Sequence, residues 1–174
     1  MLSFHKFCLD NNIKLDTLSN FDIINYAKQL GIKNFRGVYM RDTLPKIIKT
    51  NESGIVNLEP ESENGSHWIC YFKKAKEIYY FDSYGLDPCN ELKTYLKGKR
   101  LNPVVCSTFE IQKFNTMICG QLCLYVLYYL ERGEKFIDIL LKLMSEIQRS
   151  KTGGDLNSDI GLVSDIAEIA EFLL

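Results

Sequence analysis

Histidine and tryptophan are scarce in this chain. There are two histidines, His5 and His67, and one tryptophan, Trp68. An imidazole base therefore has only two possible positions. No CxxC pair occurs, although Cys119 and Cys123 are spaced to share a helix face. A zinc site would need two further ligands nearby, and only His5 and Cys8 have short spacing, so no metal is expected. Long apolar runs are missing too. The longest, residues 122–130, has nine residues, against the roughly 20 needed to span a bilayer. The opening MLSFHKFCLDNN has no signal-like apolar run. An intracellular protein, or one made and packaged inside a cell, is expected, with Cys8, Cys70, Cys89, Cys106, Cys119 and Cys123 reduced. Excess charge is absent: the formal net charge is −1. That gives no global pull towards nucleic acid or membranes, so DNA binding is not expected. Lys73, Lys74 and Lys76 cluster, but in a turn they read as solvated side chains. Internal repeats and low-complexity segments are lacking as well.

What is present fits one globular domain spanning residues 1–174, with 46% hydrophobic and 25% charged residues. Residues 19–31 predict a helix capped by Ser19 and closed by Gly31. Residues 32–45 read as less regular, and 54–58 as a short strand. The acidic, turn-rich stretch 59–66 leads into HWICYF (67–72). A turn at 73–76 and EIYYFDS (77–83) complete a hairpin. Its two ends place His67 and Asp82 side by side. Residues 90–97 predict a short helix, and 103–112 a strand leading to Gln112. Residues 119–133 predict a strongly apolar central helix and 136–150 an amphipathic one. A flexible break follows, then a final helix at about 159–173. The N-terminal residues, His5 among them, read as a mobile end.

Four residues then stand out in one order: His67 in GSHW, Asp82 in YFDSYG, Gln112 in EIQ and Cys119 in ICGQLC. A thiol that cleaves an acyl bond needs a base, a group to hold the base, and donors for the oxyanion. Cys119 opens a helix, whose partial positive charge favours an anion. The first-turn amides there point at the same place. His67 would be the base, Asp82 its orienting group and Gln112 an oxyanion donor. Gly120 would keep the approach to the thiol open, and Trp68 would be either core or a cover beside the cleft. Each residue alone also has a bland reading: a small buried thiol, a surface imidazole, a turn aspartate, a polar strand residue. The combination carries the chemistry.

These motifs resemble the adenovirus endopeptidase (adenain) group, whose clan includes the SUMO-specific and ubiquitin-like-specific proteases. The resemblance covers residues 54–132, and the interval of seven from Gln112 to Cys119 is similar to the adenovirus branch. It implies an α+β, permuted papain-like fold with a central helix on a mostly antiparallel sheet. It also implies Cys119 as nucleophile, His67 as base, Asp82 as orienting acid, Gln112 as oxyanion donor, and Trp68 and Gly120 at the substrate cleft. Asp82 stands where adenovirus enzymes use Glu, as in the SUMO branch. The implied activity is cleavage after Gly-Gly or Gly-X in capsid or polyprotein precursors of a virus, virophage or virus-like transposon. The setting would be host cytoplasm or nucleus, or the virion. Removal of a ubiquitin-like modifier, or acetyl transfer, are the alternatives within the clan. A non-catalytic binding module is the alternative outside it. No cofactor is expected, and a monomer is. An activating peptide would need a bonding cysteine, and Cys106 lies in the right region without the matching context. The near-neutral charge argues against activation by DNA. Gly153–Gly154 raises self-cleavage, against the simpler reading of a linker.

Overall fold

The hairpin predicted around residue 75 lies at the centre of the molecule. The computed structural model describes residues 1–97, 103–112 and 116–151, the last five by backbone alone. The helix expected at 159–173 and the Gly-Gly pair at 153–154 lie outside the described residues. Strands β3 (Trp68–Lys74) and β4 (Glu77–Phe81) pair antiparallel, with Cys70 opposite Phe81. Their two-residue turn is tighter than the sequence signals. Ala75 adopts φ 54° without help from Gly or Asn. Its amide is held by Thr50 O and Asn51 Oδ1, both at 3.0 Å. Neighbouring backbone thus pins a conformation that alanine disfavours alone.

The sheet order is β1-β2-β3-β4-β5, with β1 at Phe35–Met40, β2 at Asn51–Asn57 and β5 at Val105–Cys106. The central strands β2, β3 and β4 run antiparallel, and β1 and β5 are added in parallel at the edges. β3 explains why HWICYF is apolar without alternation. Trp68, Cys70 and Phe72 face one hydrophobic cluster, and Ile69 and Tyr71 face the other. A strand covered on both faces needs apolar side chains at both parities.

Helix α4 (Cys119–Glu131) fills the first cluster, and every residue from 119 to 127 is buried. A helix apolar all round belongs in a core. Truncating a buried leucine there, such as Leu122 or Leu127, costs roughly 2–5 kcal/mol. Around it pack α1 (Phe4–Asp10), α2 (Asn20–Gln29) and α5 (Phe136–Lys151). Helix α3 (Asn90–Lys97) covers the opposite face through Leu92, Tyr95 and Leu96. The fold class is therefore as the resemblance implied, α+β with a central helix on a mostly antiparallel sheet, and the structure adds a helix on the second face.

Three expectations change. The strand expected over 103–112 is only Val105–Cys106, and Gln112 lies in the irregular segment beyond it, held by Ser83 rather than by a strand ladder. The N-terminus is not a mobile end. Ser3 caps α1, Phe7 and Cys8 are fully buried, and the Phe7 ring lies 5.1 Å from that of Tyr125. The irregular stretch 32–45 contains β1, whose pattern is broken by Gly37 (φ 145°) and a register shift between Phe35 and Val38. Because β1 and β2 are parallel, the connection at 41–50 must travel back along the sheet. One short segment therefore reaches both ends of the strands.

Candidate active site

Extending the β3–β4 register from Cys70–Phe81 puts His67 opposite Tyr84 and diagonal to Asp82. Both relations are realised. The His67 and Tyr84 rings lie 4.6 Å apart, tilted by 30°. His67 Nε2 meets Asp82 Oδ1 at 2.8 Å. Asp82 is fully buried. Its Oδ1 also accepts from the Tyr84 amide at 2.8 Å, and its own amide meets Ser107 Oγ at 2.9 Å. Two donors thus meet the carboxylate at Oδ1, while Ser107 fixes the backbone that carries it. With Nε2–H committed to Asp82, the free lone pair of a neutral ring lies on Nδ1.

Cys119 supplies the partner on that side. It is the first residue of α4, 8% exposed, and hydrogen-bonds to His67. The helix cap is Ile118, which has no side-chain acceptor. Ile118 O accepts from Leu122 N at 2.9 Å, so the amides of residues 119–121 have no partner inside the helix. A Ser, Thr or Asp cap would stabilise the helix by about 1 kcal/mol but would occupy those donors. An apolar cap leaves them to an incoming oxygen.

Burial pulls the pKa of His67 down, but the hydrogen bonds to Asp82 and Cys119 outweigh it and raise it to about 9. Burial pushes the Cys8 thiol up to about 11, and Cys123, one turn beyond Cys119, well above its ordinary value. Cys89 and Cys106 are raised for the same reason. These four are held as neutral thiols, whereas Cys119 adjoins an imidazole.

Gln112 is 2% exposed and anchored through Ser83. Its amide donates to Ser83 O at 2.8 Å, and its Oε1 accepts from Ser83 Oγ at 2.8 Å. Its Nε2 donates to Tyr84 Oη at 3.3 Å and to Thr116 O. The carboxamide is thus fixed with its N–H groups on Tyr84 Oη and Thr116 O, in residues that line the same groove as Cys119.

His67, Trp68, Gln112 and Cys119 line one groove of about 630 Å³. Residues 17–20 form one wall, 38–40 and 63–66 another. Trp68 lies at the groove and is tied back by Nε1 donating to Leu18 O at 3.0 Å. Gly120 is not among the lining residues. A Cβ there would lie 3.2 Å from Leu18 Cδ1 and 3.3 Å from Trp68 Cδ1. Its smallness lets the wall pack against the helix, rather than opening the approach to sulfur.

Three contributors had no individual signal. Asn57 Oδ1 accepts from the amides of Glu59 and Ser66 at 3.0 and 3.2 Å, so the segment before His67 is braced. Gln121 is fully buried and donates to Lys14 O and Asp16 O at 2.8 and 2.7 Å, anchoring the wall that carries Leu18. Tyr84 stacks on His67 and receives Gln112. It was inside the YFDSYG motif, but nothing in the spacing separated it from its neighbours.

No family model matches the chain, and no curated protein matches its sequence. Among solved structures, the ASFV pS273R protease is similar, with a TM-score of 0.53 at 16% identity over 72% of this chain and 61% of that one. Its selenomethionine form gives 0.51 at 14% identity over 72% and 62%. The chain spans about three fifths of the length of that protease. The likeness is one of fold.

Proposed function

We propose that the protein is a cysteine endopeptidase, with Cys119 as nucleophile, His67 as base, Asp82 as its orienting acid and Gln112 as oxyanion donor. The observation that carries this reading is one imidazole joined to a buried carboxylate on one side and to a helix-opening thiol on the other. His67 Nδ1 takes the thiol proton, and the sulfur attacks the scissile carbonyl carbon. The negative oxygen that forms is met by the first-turn amides of α4 and by Gln112 Nε2, which exchanges its bond to Thr116 O for one to the oxyanion. The imidazolium passes its proton to the leaving amine, which departs and leaves a thioester on Cys119. Water, deprotonated by His67, then hydrolyses the thioester and restores the thiol.

The substrate is a polypeptide, cut after Gly-Gly or Gly-X in a viral or virus-like structural precursor. This narrower reading rests on the likeness of the motifs to adenain. The test is hydrolysis of fluorogenic peptides ending in Leu-X-Gly-Gly or Leu-X-Gly-X, with Cys119→Ala as control. Cleavage by the parent and none by the variant is expected. Equal cleavage by both would refute the role of Cys119. Activity on folded modifier fusions alone would reassign the substrate.

A further inference from the structure

A second and larger cavity, about 870 Å³, lies where β2 begins and β3 ends. His67 and Asp82 stand at the opposite strand ends. A seven-residue strand separates the two places by roughly 20 Å at about 3.3 Å per residue. The walls are the returning connection 41–50, the β3–β4 turn and the end of α3. Leu44, Ile48 and Leu96 give it an apolar lining, and Ile47 stands 75% exposed at the rim.

The charges at this cavity are one-sided. Among the described residues, six bases line it against two acids, Asp42 and Glu91, in a chain whose formal net charge is −1. Two of the six are occupied: Arg41 lies 3.8 Å from Glu91, and Lys73 Nζ donates to Thr50 O and Ala75 O. Lys46, Lys49, Lys76 and Lys97 are exposed and form no ion pair among the described residues.

The frame beneath these lysines is fixed by Glu52, which is 1% exposed. Its Oε1 accepts from Tyr71 Oη at 2.8 Å and from Tyr95 Oη. Its Oε2 accepts from Arg36 Nη1 at 2.6 Å and from the Lys49 amide at 2.7 Å. One carboxylate therefore ties β1, β2, β3, α3 and the connection together. A site that is already shaped loses little freedom on binding.

We propose that this cavity docks an acidic segment of a partner polypeptide that carries an apolar side chain. Carboxylates of the segment pair with Lys46, Lys49, Lys76 and Lys97, while a leucine or phenylalanine seats against Leu44, Ile48 and Leu96. A nucleic acid fits less well. Among the described residues, the arginines of this region, Arg36 and Arg41, are already engaged, and the one aromatic ring in the lining, Tyr95, is 8% exposed, which offers a poor stacking platform. The site is independent of the thiol chemistry, so it stands or falls apart from the peptidase reading.

The test uses full-length protein carrying Cys119→Ala, so that no probe is consumed. The probe is a fluorescein-labelled twelve-residue peptide alternating Asp or Glu with Leu and Phe, titrated by fluorescence anisotropy. The expected result is saturable binding that weakens as salt is raised and falls on the order of tenfold or more when the four lysines are changed to Glu. All four are exposed, and an unchanged thermal melt confirms that this variant is folded. A separate Ile47→Ala variant weakens binding while leaving its salt dependence alone. Binding equal in parent and four-lysine variant, or no binding, overturns the proposal. Tighter binding of a single-stranded oligonucleotide that displaces the peptide also overturns it.

Discussion

Removing the charge on Asp82 tests the centre of the site directly. Asp82→Asn keeps the shape and the oxygen that accepts from the Tyr84 amide, but it deletes the anion beside His67. Burial pulls the pKa of His67 down, and the bonds to Asp82 and Cys119 raise it to about 9 from an ordinary 6.5. That rise corresponds to roughly 3 kcal/mol at most at about 1.4 kcal/mol per pH unit, discounted because the ring borders an open groove. The groups facing the ring are Asp82, Cys119 and Tyr84. With the first neutralised, burial prevails and the pKa falls towards or below 6.5. Because there are two histidines, NMR titration of the ring protons gives two curves, and His5→Gln assigns them. The stability linkage has a definite sign. A raised pKa stabilises the fold fully below about 6.5, and that contribution is lost as pH rises through about 9. Urea unfolding from pH 6 to 10 should therefore show a steeper loss for the parent than for Asp82→Asn. A parent His67 titrating near 6.5, or one unmoved by the substitution, would refute the electrostatic account.

Gln112→Ala should lower kcat by roughly 10²–10³-fold with KM little changed, the signature of a donor used in the transition state. A loss confined to KM would place Gln112 in substrate binding instead. Gly54→Ala, far from the thiol, should destabilise the fold by about 1–3 kcal/mol. Its Cβ would fall 2.7 Å from Tyr71 Cε1, disturbing the ring that serves Glu52. An unchanged urea midpoint would contradict that.

The elements legible beforehand were those whose signals are local. Ser19 shows it. The predicted cap is present, and the structure adds that Asp22 completes a capping box with it. The start of α4 at Cys119 and the β3–β4 hairpin are equally local, since an apolar run and a turn need only near neighbours. Strand β1 was hidden because Gly37 interrupts its alternation and its partner β2 lies beyond a connecting segment. Helix α1 was hidden because seven residues carry too little periodicity; Phe7 and Cys8 declare themselves only by packing under α4. The groove wall was equally invisible. Gln121 reads as one more polar residue until its amide is seen holding Lys14 O and Asp16 O.

The order of residues by itself determined that His67 and Asp82 would meet, because a hairpin converts a short sequence interval into a contact. It also determined that Cys119 would begin a buried helix, because nothing in residues 119–130 offers a polar face wide enough for the surface. Only the tertiary structure decided that the helix start would arrive at the open end of that hairpin. That meeting depends on α4 packing against β3 and on Gly120 closing against Leu18 and Trp68. Contacts of that kind are set by shape and volume across distant segments, and no local pattern encodes them.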